Sequence, residues 1–369
     1  MKITAAVLDE IGLSRPYAES RPLSVQELEL DGPGPGELLV RIRAAGVCHS
    51  DLSVVDGNRP RPMPMVLGHE ASGIVEQVGE GVTDVAPGDQ VTTVFLPRCE
   101  QCENCATDGK LPCTPGTETN SAGLLPGSAL RLHRDGQDVH HHVGVSGFSS
   151  HAVVSRQSVV PVGADVPAEI AAVVGCAVLT GGGAVLNAGR PSDGDTVMVV
   201  GLGGVGMAAL LTALSVEKGP VIGVDANPEK LARATELGAT AVHSPDELAE
   251  NGVRAEVVIE AAGHPRAFET AVAATAPGGI TVTVGLPSPD ARSTIAPLGL
   301  TAEARTIVGS YLGSAVPARD IPVYLQLWRE GKLPIEELIS ERVALSAINE
   351  SFDRLPDGRA VRQVILFED

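Results

Sequence analysis

Aromatic side chains are nearly missing from this chain: five Phe, three Tyr and one Trp make up 2% of 369 residues. That length calls for two domains, so their cores have to be built from Val, Leu, Ile and Ala. Positive charge is also short, with 27 Lys and Arg against 46 Asp and Glu and a net charge of −19. So acidic a surface repels nucleic acid and anionic lipid, which argues against both as partners; its plain use is solubility. Low-complexity linkers, disordered tails and internal repeats are absent apart from a strand–helix rhythm. The N-terminal run Met1–Val7 leads directly into Leu8-Asp9-Glu10, too short and too soon acidic for a secretory leader, so the cytoplasm is the expected compartment. Two apolar regions, 170–189 and 197–216, are punctuated by glycine, and the first holds Cys176. They read as buried strand and helix rather than membrane spans.

Cysteine is the informative minority. The six residues are Cys48, Cys99, Cys102, Cys105, Cys113 and Cys176. In a chain this long without a leader they point to metal binding rather than to disulfides.

From about residue 25 to 95, short β runs such as Glu37–Arg43 and Gly73–Val78 alternate with Gly/Pro turns, the pattern of an antiparallel, partly barrelled domain. Residues 114–150 read as an irregular insertion. Near residue 177 the texture changes. Thr196–Val200 and Val221–Asp225 are short apolar strands, and Asn227, Pro228 and Gly238 supply a cap, a first-turn residue and a stop for the helix after the second. Further apolar runs near 240–243, 256–260, 280–285 and 306–311 complete a doubly wound parallel sheet of the α/β class. A helix is expected around Ile321–Gly331 and a strand at Val361–Phe367. With six strands already placed, the tail is expected to return to the first domain. The expected division is 1–177 with 313–369, and 178–312.

Gly201-Leu202-Gly203-Gly204-Val205-Gly206 follows the first of these strands and opens an apolar helix. The glycines permit a tight turn, close approach of backbone to a pyrophosphate, and close helix–strand packing, and the helix N-terminus favours the phosphates. The motif alone also fits a glycine-rich turn; its context makes it a dinucleotide site. Asp225 ends the next strand, where an acid accepts from the ribose hydroxyls and repels a 2′-phosphate, selecting NAD; a plain turn acid is the alternative. Arg362 is a candidate for the pyrophosphate, and Lys230 and Val284 complete the cofactor-binding candidates.

Cys99-x-x-Cys102-x-x-Cys105, with Cys113 eight residues on, lets one loop wrap an ion in four thiolates. Such a shell is closed and structural. An iron–sulfur cluster remains open by spacing, while the net charge speaks against a zinc-ribbon nucleic-acid module. The remaining thiols, Cys48 and Cys176, combine with His69 into three ligands that leave a fourth position for substrate or water. His69 beside Glu70 also fits a structural pair; the cysteine arithmetic favours the ligand.

Gly46-Val47-Cys48-His49-Ser50-Asp51, Gly68-His69-Glu70, the four-cysteine loop, Cys176 and the glycine motif occur in the order and spacing of the zinc-containing medium-chain alcohol dehydrogenases, which the chain resembles over essentially its whole length. The segment 114–142 and His140-His141-His142-Val143-Gly144 resemble the longer branch with the liver-type enzymes and the glutathione-dependent formaldehyde dehydrogenases. The resemblance implies a GroES-like β domain with both zincs and a Rossmann cofactor domain. Cys48, His69 and Cys176 would hold a catalytic zinc, with Glu70 approaching it transiently and Asp51 orienting His69. Ser50 would take the alcohol proton and pass it to the nicotinamide ribose; Thr180 and His49 would lie by the cofactor, His49 at the pyrophosphate. Where many liver-type members end the relay in histidine, this chain has Ser53.

The expected activity is NAD-linked hydride transfer to or from a primary or secondary alcohol, aldehyde or ketone, in a homodimer joined through the cofactor domains. Rival readings are a thiol-dependent formaldehyde dehydrogenase and a non-catalytic zinc- and nucleotide-binding relative. Phe95, Arg59 and Met65 are pocket candidates. His140, His141 and His142 read as an ordinary loop, because consecutive residues rarely point at one ion; His133, His151, His243 and His264 carry no pattern.

Overall fold

The computed structural model describes residues 1–355 and 361–368. Two compact units divide it, Met1–Cys176 with Ile339–Asp369, and Ala177–Leu338.

The first unit is built around one long strand, Glu37–Val47, whose ELLVRIRAAGV sequence is buried along almost its whole length. It pairs antiparallel with Glu70–Val78, His151–Ser155 and Gln363–Leu366. A closed barrel of Lys2–Leu8, Leu23–Leu30, Leu132–Arg134, Gln137–His141 and Met65–Val66 accompanies this sheet. The core is aliphatic, as the scarcity of aromatics requires: Leu38, Val40, Ile42, Val47, Leu67 and Ile365 are each at most 1% exposed. Phe148 and Phe352 meet within it at 6.3 Å between ring centres.

The segment 114–150 is more regular than its sequence suggests. It holds the helix Thr114–Ala122 and the hairpin Leu132–Arg134/Gln137–His141. That hairpin closes the barrel, and the barrel then satisfies backbone groups that a loop would leave to solvent.

In the second unit six parallel strands stand in the order Ala241–His243, Val221–Val224, Val197–Val200, Ala255–Glu260, Thr275–Thr283, Thr306–Gly309. Numbered along the chain this is 3-2-1-4-5-6, the doubly wound order with its switch point beside the first strand. The helix Pro228–Glu236 is capped by Asn227, whose side chain accepts from the Glu229 amide.

The expected return at residue 313 is too early. The helix Pro317–Arg329 stays with the second unit. Tyr324 packs against Gly182, where any Cβ would collide with its ring, and Asn187 Nδ2 donates to Asp320 Oδ2 at 3.0 Å. Six strands fill the sheet, but the chain adds this helix against Leu179–Gly183 before it returns to the first unit. Among the described residues the stretch Ala168–Gly189 alone is long and apolar enough to cross a membrane, and 89% of its most apolar window is buried inside the protein.

Candidate active site

Two thiol clusters form in the first unit. In one, the sulfurs of Cys99, Cys102, Cys105 and Cys113 all lie within 4.8 Å of one another. The loop turns its own amides onto them: Cys99 N donates to Cys113 Sγ, Cys102 N to Cys99 Sγ and Cys105 N to Cys102 Sγ, each at 3.4 Å. Amides of Cys105 and Thr114 draw the Cys102 thiol down to about 6, while burial pushes Cys105 up to about 12. Four thiols this close cannot all ionise without a cation among them. The donor set is soft, fourfold and closed, and fits a structural zinc.

The second cluster gathers Cys48, His69, Glu70 and Cys176, whose ligand atoms also lie within 4.8 Å of one another and are all buried. Each comes from a fixed element. Cys48 follows the long strand and caps the helix His49–Val55. His69 follows Gly68, whose φ of +91° and contact with Phe148 admit no side chain, and Glu70 opens the next strand. Cys176 lies in the π-helical turn Val174–Val178, a wider turn frequent at functional sites.

His69 Nδ1 lies 3.0 Å from Asp51 Oδ1, which also accepts from Gly68 N at 3.1 Å. Nδ1 therefore carries a proton toward Asp51, and Nε2 is the ring nitrogen left for the thiols. Nε2 and both Glu70 oxygens are buried with no hydrogen-bond partner among the described residues, though Arg362 Nη1 forms an ion pair with Glu70 Oε1 at 3.0 Å. A buried imidazole nitrogen without a hydrogen-bond partner, beside two thiols, fits a zinc ion held by Cys48, His69 and Cys176. The hydrogen bond shared by the two thiols holds Cys48 well below the ordinary thiol range and Cys176 well above it. Burial raises Glu70 to about 7, against the pull of Arg362.

Arg362, expected at the pyrophosphate, is 3% exposed and turned to Glu70. The three histidines do not form a common loop. His141 Nε2 accepts from Arg131 N at 3.1 Å within the barrel, whereas His142 enters the site. Its Nδ1 lies 3.1 Å from Asp51 Oδ1, off the line a good hydrogen bond prefers, and its ring meets His69 edge-on at 5.7 Å. Burial is the main force lowering its basicity. Phe95 stands edge-on to His69 as well, at 5.5 Å. His49 and Ser50 occupy the first turn of the helix that Cys48 caps, and Ser53 Oγ donates to the His49 carbonyl at 2.9 Å.

In the second unit Gly201, at φ +93°, turns the chain out of the first strand, and a Cβ at Gly206 would strike its carbonyl. Nothing lies within 4 Å of a Cβ built at Gly203, which leaves room for a ligand against the backbone. Gly204 and Val205 begin the helix Gly204–Ser215. Asp225 Oδ2 accepts from Leu202 N at 2.7 Å and Oδ1 from Asn227 N at 2.9 Å, with Lys230 Nζ 3.7 Å from Oδ2. Thr180 lies next to Gly181, which packs against the Val205–Ala209 turn. Val284 follows the fifth strand, its amide on Glu260 O. Sequence reasoning missed Glu260: 1% exposed, it accepts from Ala262 N, Gly263 N and Thr283 Oγ1 and ties two loops together at the strand ends. An acid closing the apolar run Ala255–Glu260 was its only signal.

Residues 34–164 match the model of the alcohol dehydrogenase GroES-like domain, and residues 204–330 that of the zinc-binding dehydrogenases. The NDMA-dependent alcohol dehydrogenase of Amycolatopsis methanolica is 38% identical over 376 residues, covering 99% of each chain. Alcohol dehydrogenase 2 of Zea mays is 33% identical, covering 100% of this chain and 98% of its own. Among solved structures, the benzyl alcohol dehydrogenase of Acinetobacter calcoaceticus superposes with a TM-score of 0.91 at 29% identity over the full length of both.

Proposed function

The chain belongs to the zinc-containing medium-chain alcohol dehydrogenase family, and on that premise we propose that it transfers hydride between a primary or secondary alcohol and NAD, with one catalytic and one structural zinc per chain. The observation that carries this reading is the bare His69 Nε2, buried among two thiols and a carboxylate while Asp51 occupies Nδ1. A zinc ion there supplies Lewis acidity that lowers the pKa of a coordinated alcohol. The protein residues do the rest. Cys48, His69 and Cys176 would hold the ion, and Asp51 fixes the imidazole. Ser50, on the first helical turn beside Cys48, takes the alcohol proton. Arg362 balances Glu70 and the thiolates.

NAD is favoured over NADP by Asp225, whose carboxylate is held in place by two backbone amides and repels a 2′-phosphate. A homodimer joined through the cofactor domains fits the place of Thr306–Gly309 at the end of its sheet and the 79% exposure of Leu298 on the helix Pro297–Ala302 before it.

The test is NADH formation by zinc-loaded protein across a panel of primary, secondary and aromatic alcohols. Parallel arms add a thiol with formaldehyde, or NDMA as acceptor because one relative is named for dependence on it. Absence of turnover in every arm would refute the reading; turnover of formaldehyde only with thiol would replace it by the thiol-adduct activity.

A further inference from the structure

Phe95 belongs to no strand or helix. It sits in a bend between the strand Gln90–Thr93 and the cysteine loop, yet its ring packs edge-on to His69. A side chain that borders a metal-binding imidazole from an irregular segment has to be held from outside. The holder is Asn120, 6% exposed, whose Nδ2 donates to the Phe95 carbonyl at 2.6 Å. Only the amide nitrogen can donate to a carbonyl, so this contact also fixes which way the Asn120 amide faces.

Asn120 is carried by the helix Thr114–Ala122, whose sequence TPGTETNSA is poor in helix formers. A helix of nine such residues does not stand alone. It is anchored at both ends: Cys113, fully buried in the thiol cluster, is its N-cap, and Asn120 pins its last turn. Between them Gly116 lies so close to Pro97 that a Cβ would strike the Pro97 carbonyl. Arg98 Nη2 donates to Cys105 O at 2.9 Å and closes the same lobe from the other side. The four-cysteine lobe and the segment Phe95–Arg98 are thus one packed body.

We propose that Asn120 is a positioning residue for the catalytic cluster, through which the four-cysteine lobe holds the Phe95 ring against His69. The proposal rests on the reading of His69 as a zinc ligand. It assigns the lobe a second task beside stability: loss of its ion loosens the helix, withdraws Asn120, and releases the aromatic wall of the His69 imidazole.

The experiment is a double-mutant cycle of Asn120→Ala and Phe95→Leu, read by kcat and KM, by zinc content, by Tm, and by the His69 Nδ1–H resonance in protein labelled with 15N-histidine. Asn120→Ala should keep both zincs, shift the His69 resonance and lower kcat/KM about tenfold, the scale of a small misplacement at a reacting centre. In the Phe95→Leu background the same substitution should cost no more than about twofold, because the two residues act as one unit. If Asn120→Ala does not fold, Asn120→Asp, which keeps the size and removes the donor, takes its place. A fall in Tm with an unmoved His69 resonance, or full additivity with Phe95→Leu, would overturn the proposal. A wild-type protein that oxidises no alcohol would instead sink the functional reading, and the His69 resonance would still report on Asn120.

Discussion

Asp51 offers the most direct test of how the site is built. Its side chain is fully buried, and one oxygen, Oδ1, receives the Gly68 amide and His69 Nδ1, with His142 Nδ1 at 3.1 Å. Asp51→Asn leaves a carbonyl oxygen for those donors, removes the charge, and puts an amide NH2 where the buried Oδ2 has no partner. Asp51→Ala leaves two buried N–H groups unpaired, each costing about 1–3 kcal/mol, and frees the imidazole to rotate. Partners of metal-bound histidines are typically worth 10- to 100-fold in metal affinity or activity. Asp51→Asn should fall near the lower end, about 1.4 kcal/mol, and Asp51→Ala near the upper, about twice that. Competition of metal-stripped protein with a chelator reads the affinity, and kcat/KM reads the chemistry. If Asp51→Ala keeps both within about twofold of the parent, far below that range, the orienting role is wrong. If Asp51→Asn falls as far as Asp51→Ala, charge rather than hydrogen bonding holds His69.

Cys176→Ser should lose one of two zincs and nearly all activity while the fold survives, whereas Cys102→Ser should lose thermal stability first because it opens the closed shell; elemental analysis finding one zinc in a fully active parent contradicts both. Asp225→Ser should move the kcat/KM preference for NAD toward NADP by about tenfold, since it removes one repelling charge and frees Lys230, now 3.7 Å from Asp225, for a 2′-phosphate; a parent that already prefers NADP rules this out. Ser50→Ala should cost on the order of 100-fold in turnover, the scale of a positioned proton-transfer group. Ser53→Ala should cost little, because the Ser53 hydroxyl is given to the His49 carbonyl; equal losses in the two variants would place Ser53 in the relay.

Local chemistry was legible in the sequence, and long-range convergence was not. The four-cysteine loop, the glycine turn with Asp225, and the cap at Asn227 are signals written within a few residues, and the spacing alone carries the physics. The doubly wound sheet follows from repeated apolar strands with turns between them. His142 escaped because three adjacent histidines look alike until strand pairing decides where each goes: Met65 and Val66 pair with His140 and His141, which leaves His142 past the ladder and free to turn toward Asp51. Arg362 showed a charge but no partner, since Glu70 reaches it only through folding. Asn120 had no signal at all. Its helix is too weak in propensity to be expected, and its contact with Phe95 exists only once the lobe has closed.

The catalytic cluster is fixed by sheet register more than by any one contact. Glu37–Val47 and Glu70–Val78 pair so that Gly46 faces Glu70, which brings Cys48, two residues past Gly46, beside His69, one residue before Glu70. That register is not uniform along the ladder. Leu38 faces Val78, but by Val40 the partner is Val75, one residue out of step; a second irregularity between Ile42 and Ala44, where Arg43 is left over, restores the original count before the metal ligands are reached. Gly73 lies opposite this second irregularity, where a Cβ would strike the Arg41 carbonyl, so the strands can approach there only with glycine in place. Without the extra Arg43, His69 would stand opposite Gly46 and its side chain would leave the opposite face, because a one-residue slip inverts every side chain in a strand. The second bulge therefore cancels the first: the two strands are out of step only from Val40 to Ile42, and the second bulge returns Gly46 to its place opposite Glu70, on which the meeting of the two distant ligands depends.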